Sequence, residues 1–396
     1  MRSLRLRLAA AAVAAAGFVV ACSDDGGPTT TPSSTPTAVA GGPRLGVQDD
    51  RLLWADQDVS QRLDKIKETG ARVVRVDLHW DTVAPTRPAD ATDPADPAYR
   101  WERYDAIVDG ARARGLTLDL VVFGTPAWAA DTSADAQPRS PYYATPFGAR
   151  PRDPRDAGDF AEAAARRYAP KGVHMWEAWN EPNIPLFLRP QWRREGGRWV
   201  PDSPRTYAAI LKAMYAGIKR ADPDATVAGG VTAPAGSASS PCKSVPPANC
   251  RVTPQRFVDE LGRPGLRPPM DAYAHHPYPV RRQTDRNNPK ATYVDLYNLP
   301  VLFRHLDAGY LRGKPVWVTE FGVATAQTLQ QPYWRVPEEQ KGQLEDALRR
   351  MDTQKRVTLF VWYFMQDNDA WKSGLYNQDG SPKPALDAFR AAARGG

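Results

Sequence analysis

Val173-His174-Met175-Trp176-Glu177-Ala178-Trp179-Asn180-Glu181-Pro182-Asn183 is a short, mainly apolar run that ends at a glutamate and a proline. Val173–Ala178 has the length and content of a buried strand. Pro182 fixes its own φ and biases the residue before it away from helix, so the strand is expected to end at Glu181 in an extended conformation. A second stretch has the same design: Val316-Trp317-Val318-Thr319-Glu320, with Phe321-Gly322 turning the chain away. A lone glutamate at a strand end is usually just a solvated one. Two of them, each behind an apolar strand, call for a joint explanation.

Outward from these two runs, six others share their character: Leu45–Gln48, Val73–Leu78, Leu116–Phe123, Thr226–Gly229, Met270–Ala274 and Thr358–Phe364. Amphipathic segments alternate with them, at Val59–Thr69, Arg103–Arg114, Asp159–Tyr168, Pro204–Ala221, Pro254–Leu261, Val301–Leu311, Glu338–Lys355 and Pro384–Ala393. Gly70, Gly115, Gly262 and Gly313 follow several of them as helix caps do. Strand and helix in strict alternation predict an α/β fold, a (β/α)8 TIM barrel forming a single domain with long βα loops. The rival, a doubly wound open sheet, would show a glycine-rich phosphate turn after its first strand. Asp49-Asp50-Arg51-Leu52 stands there instead.

Helix-to-strand links are brief, whereas strand-to-helix links such as Thr125–Gly158, Asn183–Ser203, Thr232–Thr253, Pro277–Thr292 and Thr325–Pro337 are long. In a barrel the long loops all rise from the C-terminal rim, where active sites are built. They carry Trp128, Tyr142, Tyr143, Phe147, Phe187, Trp192, Trp199, Tyr333 and Trp334. Aromatics on one rim suit a ligand with apolar faces and hydroxyl edges, which describes a sugar ring. About half of them are expected only to anchor their own loops.

The ends of the chain read differently. Arg2, Arg5 and Arg7 precede the apolar run Leu8–Ala21, the pattern of a signal peptide over 1–21 rather than of a membrane-spanning helix. Val19-Val20-Ala21-Cys22 resembles a bacterial lipoprotein box, which implies cleavage before Cys22 and lipidation of its thiol. Residues 22–42 are Asp, Gly, Thr, Pro and Ser with little to bury, as in a disordered tether, leaving 43–396 as the catalytic domain. An exported chain would pair Cys242 with Cys250 in a local disulfide, while two free thiols would fit a cytosolic one. Export with anchorage facing outward is therefore expected, the lipid being the sole membrane contact, with plain secretion as the alternative.

Without the three leader arginines the formal net charge of +7 falls to +4, and the cations are scattered with no basic tract, so nucleic acid is not indicated as a partner. Five histidines, His79, His174, His275, His276 and His305, form no evident ligand triad, and no metal or other cofactor is expected.

Paired carboxylates are what cleavage of a glycosidic bond requires: one protonates the leaving oxygen while the other meets the anomeric carbon. The acid must keep its proton near neutral pH, and the nucleophile must stay ionised among hydrogen-bond donors. Asn180 beside Glu181 can bind a sugar hydroxyl. Arg75, in Arg75-Val76-Asp77-Leu78-His79-Trp80, points into the mouth if alternation holds and can keep the nucleophile ionised. In His275-His276-Pro277-Tyr278, His276 can donate to substrate and Tyr278 to a carboxylate, although alternation alone leaves open which histidine faces the sugar. Asp77, Asp271 and Glu177 are read as structural, Asp77 as a partner of Arg75.

These motifs resemble the retaining (β/α)8 glycosidase clan whose acid/base lies on strand four and nucleophile on strand seven, including family 5 cellulase-like and mannanase-like enzymes and family 39 glycosidases. Asn180-Glu181-Pro182 matches the clan's Asn-Glu-Pro, and Glu320 its strand-seven glutamate. Arg75 resembles its strand-two arginine, and His276-Pro277-Tyr278 its strand-six His-x-Tyr. Trp362 is similar to the strand-eight tryptophan that floors the cleavage subsite, and His79 to a histidine near strand two. The Trp-Asn-Glu-Pro-Asn form leans toward family 39. The resemblance implies a retaining hydrolase of β-linked oligo- or polysaccharides, with Glu181 as acid/base and Glu320 as nucleophile. A barrel that binds sugar without cutting it is the alternative.

Overall fold

In the computed structural model, which describes residues 42–131, 147–237, 250–279, 291–328, 331 and 333–395, eight parallel strands close into a barrel. In chain order they begin with β1 (Arg44–Gln48), β2 (Val73–His79), β3 (Thr117–Phe123) and β4 (Met175–Ala178). A two-stranded hairpin, β5 (Trp192–Glu195) and β6 (Arg198–Pro201), interrupts the series, which resumes with β7 (Thr226–Thr232), β8 (Ala272–His275), β9 (Val316–Phe321) and β10 (Val357–Tyr363). β10 pairs back onto β1. The predicted barrel and its eight strands are present.

The helices that cover it are α1 (Val59–Lys67), the single turn α2 (Trp80–Val83), α3 (Glu102–Ala113), α4 (Pro154–Tyr168), α5 (Ser203–Ala221), α6 (Pro254–Leu261), α7 (Pro300–Ala308), α8 (Pro337–Thr353) and α9 (Pro384–Gly395). Their starts follow local chemistry. The side chains of Asp58, Asp153 and Thr253 accept backbone N–H groups at the N-termini of α1, α4 and α6, and proline opens α4 through α8 within the first two positions. Among the described residues no helix is long and apolar enough to cross a membrane.

Strand alternation sorts side chains between the helix layer and the lumen. Val73, Met175, Ala228, Ala272, Ala274, Trp317, Leu359 and Val361 belong to one small buried apolar cluster within the barrel. Two positions further along their strands, on the same face, come Arg75, Glu177, His276, Thr319 and Tyr363. The apolar floor thus gives way upward to a polar layer, and the site stands on it.

One irregularity matters for that layer. Between Phe360 and Trp362 of β10 the chain advances two residues, while β9 advances three, from Val318 to Phe321. The additional residue is a bulge, and such bulges re-aim side chains. Thr319 and Glu320, adjacent in sequence, consequently both meet groups at the mouth.

Candidate active site

Arg75 is the hub. Its side chain is fully buried and spreads its guanidinium across the lumen. Nε donates to Glu177 Oε1 at 2.6 Å, Nη1 to Glu320 Oε1 at 2.6 Å and Nη2 to Asn180 Oδ1 at 3.0 Å, and Nη1 also donates to Gln48 Oε1. Burial opposes its charge, but Glu177 and Glu320 outweigh that and raise its pKa well above the ordinary value. A guanidinium is suited to this place because its planar fork can serve several carboxylates at once. Asp77 is a weaker partner, 3.7 Å from Nη1.

Glu320 accepts a second hydrogen bond on its other oxygen, from the Tyr278 hydroxyl at 2.8 Å. Burial lifts its carboxyl above the ordinary range and Glu181 adds to that; His276, Arg75 and the Tyr278 hydrogen bond pull the other way. Glu181 lies across from it. Oxygens of the two carboxylates, with a nitrogen of His276, all fall within 4.8 Å of one another.

His276 ties the two sides together. Nδ1 lies 3.0 Å from Glu181 Oε1 and 3.6 Å from Glu320 Oε2, and Nε2 lies 3.1 Å from Thr319 Oγ1. The Thr319 hydroxyl already donates to Glu177 Oε2 at 3.0 Å, so toward His276 it accepts and Nε2 carries a proton. Nδ1 then meets Glu181 either as acceptor from a protonated carboxyl or as donor from an imidazolium. Either way one proton lies between Glu181 and His276. The sequence reading had His276 donating to substrate; in the structure the ring is fully buried with both nitrogens engaged, so it positions a carboxyl instead. His275 is in the wall, between Thr232 Oγ1 at 2.9 Å and the Val294 carbonyl at 3.0 Å, and burial lowers its pKa to about 3.

The backbone that presents Glu181 departs from expectation. β4 ends at Ala178, and Glu181 is not extended: its φ is +38°, and Trp179 has φ +73°. A non-glycine residue in this region costs on the order of 1–3 kcal/mol and persists where its surroundings hold it. Here Trp179 is buried with Nε1 donating to the Phe187 carbonyl at 2.8 Å. Asn183 is buried too, its amide bonded to the Ala233 and Val252 carbonyls and to the Ala233 N–H. The second asparagine of the motif is therefore a clamp on the loop, a role the sequence reading missed.

Glu181 and Glu320 face a cavity of about 650 Å³ lined also by Asp50, Asp77, Asn180, Tyr278, Tyr363 and Trp371. Of the expected rim aromatics, Phe187 and Tyr333 reach it. Trp128 bonds the Ala84 carbonyl, Trp192 bonds the Cys250 carbonyl, Phe147 packs on Phe123 and Phe187, and Trp199 lies under Arg194. Trp334 is exposed outside the lining; Tyr142 and Tyr143 lie outside the described residues.

Two further expectations are corrected. Trp362 does not floor the subsite: it is fully buried in the wall against Phe321, with Nε1 on the Ser373 carbonyl at 2.9 Å. Leu359 and Val361 face the lumen, so alternation brings Tyr363 to the mouth and sends Trp362 outward. His79 is also absent from the lining. It packs against Phe123 and Phe147, and burial lowers its pKa to about 4. Of the remaining histidines, His174 pairs with Asp222 and His305 with Asp259, both away from the mouth. Asp271 pairs with Lys219 and accepts from Tyr215.

An arginine-bound carboxylate and a second one thus face the same cavity, a pairing of the kind that glycoside cleavage uses. Residues 33–368 match the family described as cellulase, glycosyl hydrolase family 5. The chain belongs to glycosyl hydrolase family 5. Its barrel is shared more widely. A family 39 glycoside hydrolase from Bacteroides cellulosilyticus superposes with a TM-score of 0.60 at 22% identity, over 89% of this chain and 64% of that one. A family 39 β-xylosidase from Caulobacter crescentus gives 0.59 at 21%, over 88% and 72%. A family 5 subfamily 18 enzyme from Streptomyces cattleya gives 0.58 at 19%, over 89% and 80%. This family 5 chain thus spans less than two thirds of the length of the Bacteroides enzyme. A search of curated protein sequences finds no match. The matched family is one of glycosyl hydrolases.

Glu181, His276 and Glu320 are also, among the described residues, three side chains near enough to offer ligands to one cation. The Arg75 guanidinium on Glu320 already supplies positive charge beside them.

Proposed function

We propose that this glycosidase cleaves β-linked oligo- or polysaccharides with retention, through a covalent glycosyl-enzyme. The observation that carries the reading is the spacing: one carboxylate oxygen of Glu181 lies within 4.8 Å of one of Glu320. Retaining pairs stand about 5–5.5 Å apart, whereas inverting pairs need roughly 6.5–9.5 Å to admit a water. The surroundings divide the roles. Glu320 accepts from Arg75 and Tyr278, donors that hold it ionised. Glu181 lies away from Arg75, with His276 Nδ1 3.0 Å from its Oε1.

Glu320 attacks the anomeric carbon as the glycosidic C–O bond breaks. The electron pair leaves on the aglycone oxygen, which takes the proton of Glu181. The Glu181 carboxylate then takes a proton from water, whose oxygen attacks the anomeric carbon and displaces Glu320. Activated 2-deoxy-2-fluoro glycosides slow the second step, so peptide mapping should find the sugar on Glu320. With Glu181→Ala, turnover of a dinitrophenyl glycoside should survive and accelerate with azide. Label on any other residue, or azide rescue of neither Glu181→Ala nor Glu320→Ala, would refute the assignment. Sugar binding with no hydrolysis of any glycan would favour the non-catalytic alternative.

The placement of the enzyme is a separate proposal, supported by sequence. The basic start, the Val19-Val20-Ala21-Cys22 box and the polar residues after it fit a lipid-anchored, outward-facing protein. Cys242 lies outside the described residues. Cys250 is buried beside the site-lining Arg251, and we take the two cysteines to be cross-linked there. Non-reducing peptide mapping of protein recovered from cells reads both claims. It should find a lipidated Cys22 at the N-terminus and a Cys242–Cys250 peptide; a mature chain starting elsewhere, or two free thiols, would overturn the respective claim.

A further inference from the structure

Glu177 has no task in the reaction above, yet it is fully buried and its contacts lead to the acid. It lies on β4, four residues before Glu181. Arg75 Nε donates to its Oε1 at 2.6 Å, an ion pair with both partners out of water. The Thr319 hydroxyl, on β9 beside Glu320, donates to its Oε2 at 3.0 Å. Thr319 Oγ1 lies 3.1 Å from His276 Nε2, and His276 Nδ1 lies 3.0 Å from Glu181 Oε1. Glu177, Thr319, His276 and Glu181 thus form one unbroken hydrogen-bonded chain across three barrel strands.

The chain has a direction. A hydroxyl has a single proton, and Thr319 commits it to Glu177, so toward His276 it only accepts. His276 then carries its proton on Nε2, and a neutral ring presents a bare lone pair at Nδ1. That lone pair accepts from a protonated Glu181 and repels an ionised one. Glu177, Thr319 and His276 are all fully buried, which leaves water no access to reverse the order. Two other titratable groups adjoin the ring: Glu320 Oε2 stands 3.6 Å from Nδ1, and His275 is kept neutral by burial, which lowers its pKa to about 3. Asp119 is the other acid beside Glu177. Burial and the Glu177 charge push it well above the carboxylate range, so it adds no competing negative charge.

We propose that Glu177 and Thr319 are positioning residues for the general acid: they hold the His276 proton on Nε2, so that Nδ1 keeps the proton of Glu181 in place for the leaving oxygen. The inference rests on the retaining reading above. Arg75 then serves both halves of the reaction, holding the nucleophile through Nη1 and orienting the acid's chain through Nε. The direction can be inverted without changing shape. Glu177→Gln replaces one oxygen by an amide N–H2. With its carbonyl on Arg75 Nε, the amide donates to Thr319, whose hydroxyl turns to donate to His276 Nε2. The ring proton moves to Nδ1 and donates to Glu181, which favours the carboxylate over the acid. Thr319→Val acts more simply, since it removes the acceptor that holds the proton on Nε2.

The test compares two leaving groups on one sugar. The panel is aryl β-glycosides of glucose, xylose, mannose and galactose and of their β-1,4-linked disaccharides. Each is made as the 2,4-dinitrophenyl derivative, whose departure needs no proton, and as the phenyl derivative, whose departure does. The readout is kcat/KM, which reports the first step, on the sugar that wild type turns over best. For Thr319→Val and Glu177→Gln, the loss on the phenyl glycoside should exceed that on the dinitrophenyl one by roughly tenfold or more. Thr319→Ser, which restores the hydroxyl, should keep the wild-type ratio. If Glu177→Gln fails to fold because Arg75 loses a counter-charge, the two Thr319 variants carry the test. Equal losses on both leaving groups, as a disturbance of the adjacent Glu320 would give, would overturn the proposal. So would a Thr319→Ser ratio as low as that of Thr319→Val. No turnover on any member, with no labelling of Glu320 by the fluoro sugar, would instead refute the underlying reading.

Discussion

Tyr278 shows how much one hydroxyl does at this site. Glu320 can attack only as a carboxylate, yet burial raises its pKa, so the acidic limb of the rate profile should lie above the ordinary glutamate value of 4.5. The Tyr278 hydrogen bond opposes that rise by stabilising the ionised form. Removing it shifts the balance toward the protonated carboxyl. Tyr278→Phe should therefore move the acidic limb to higher pH and lower kcat about tenfold to hundredfold, the worth of a hydrogen bond to a charged group. A pH–rate profile on a dinitrophenyl glycoside checks it, and an unmoved acidic limb would remove Tyr278 from that role. Sequence made two groups around Glu320 legible, Arg75 through strand alternation and Tyr278 through the His276-Pro277-Tyr278 motif. It could not place Trp362, because an aromatic pair such as Trp362-Tyr363 offers two equally good candidates and only the lumen-facing Leu359 and Val361 choose between them. Nor did it foresee the positive φ of Glu181, since a proline after a residue signals extension and only the packing of Trp179 and Asn183 imposes the alternative.

Elements were read well where their pattern was long. The hairpin β5–β6 was missed, although its signal was present: Trp192-Arg193-Arg194-Glu195 and Arg198-Trp199-Val200-Pro201 flank Gly196-Gly197, whose φ values of 53° and 76° suit a tight two-residue turn. Charged faces hid the strands. α4 was expected to begin at Asp159 but begins at Pro154, capped by Asp153, because Gly158 reads as a break. In the fold Gly158 is a contact. A Cβ on Gly217 of α5 would come 2.2 Å from the Gly158 carbonyl oxygen, and one on Gly158 would come 2.8 Å from that of Ala213. The two helices meet backbone to backbone, with no soft side chain to give way. Gly217→Ala should consequently destabilise the barrel by about 1–3 kcal/mol, through overpacking that outweighs alanine's better helix propensity. Urea unfolding measures the loss, and activity per folded molecule should stay unchanged; equal or greater stability would show that the helices can separate at little cost.

On the scale of the whole molecule, the order of elements serves one end of the barrel. Short links below and long loops above leave the C-terminal rim free to carry Glu181 from the fourth barrel strand and Glu320 from the seventh, while the apolar lumen beneath holds Arg75 and Glu177 at fixed height. The fold follows from periodicity and could be read early; the cavity wall could not, because Asp50, Tyr363 and Trp371 reach the site through loop paths and a strand register that no local pattern encodes. The central claim is that two carboxylates this close act by double displacement. An NMR time course of hydrolysis, begun before mutarotation scrambles the anomers, tests it most directly. The account predicts that a β-glycoside first releases the β-anomer; first release of the α-anomer would contradict it, whatever the geometry of Glu181 and Glu320.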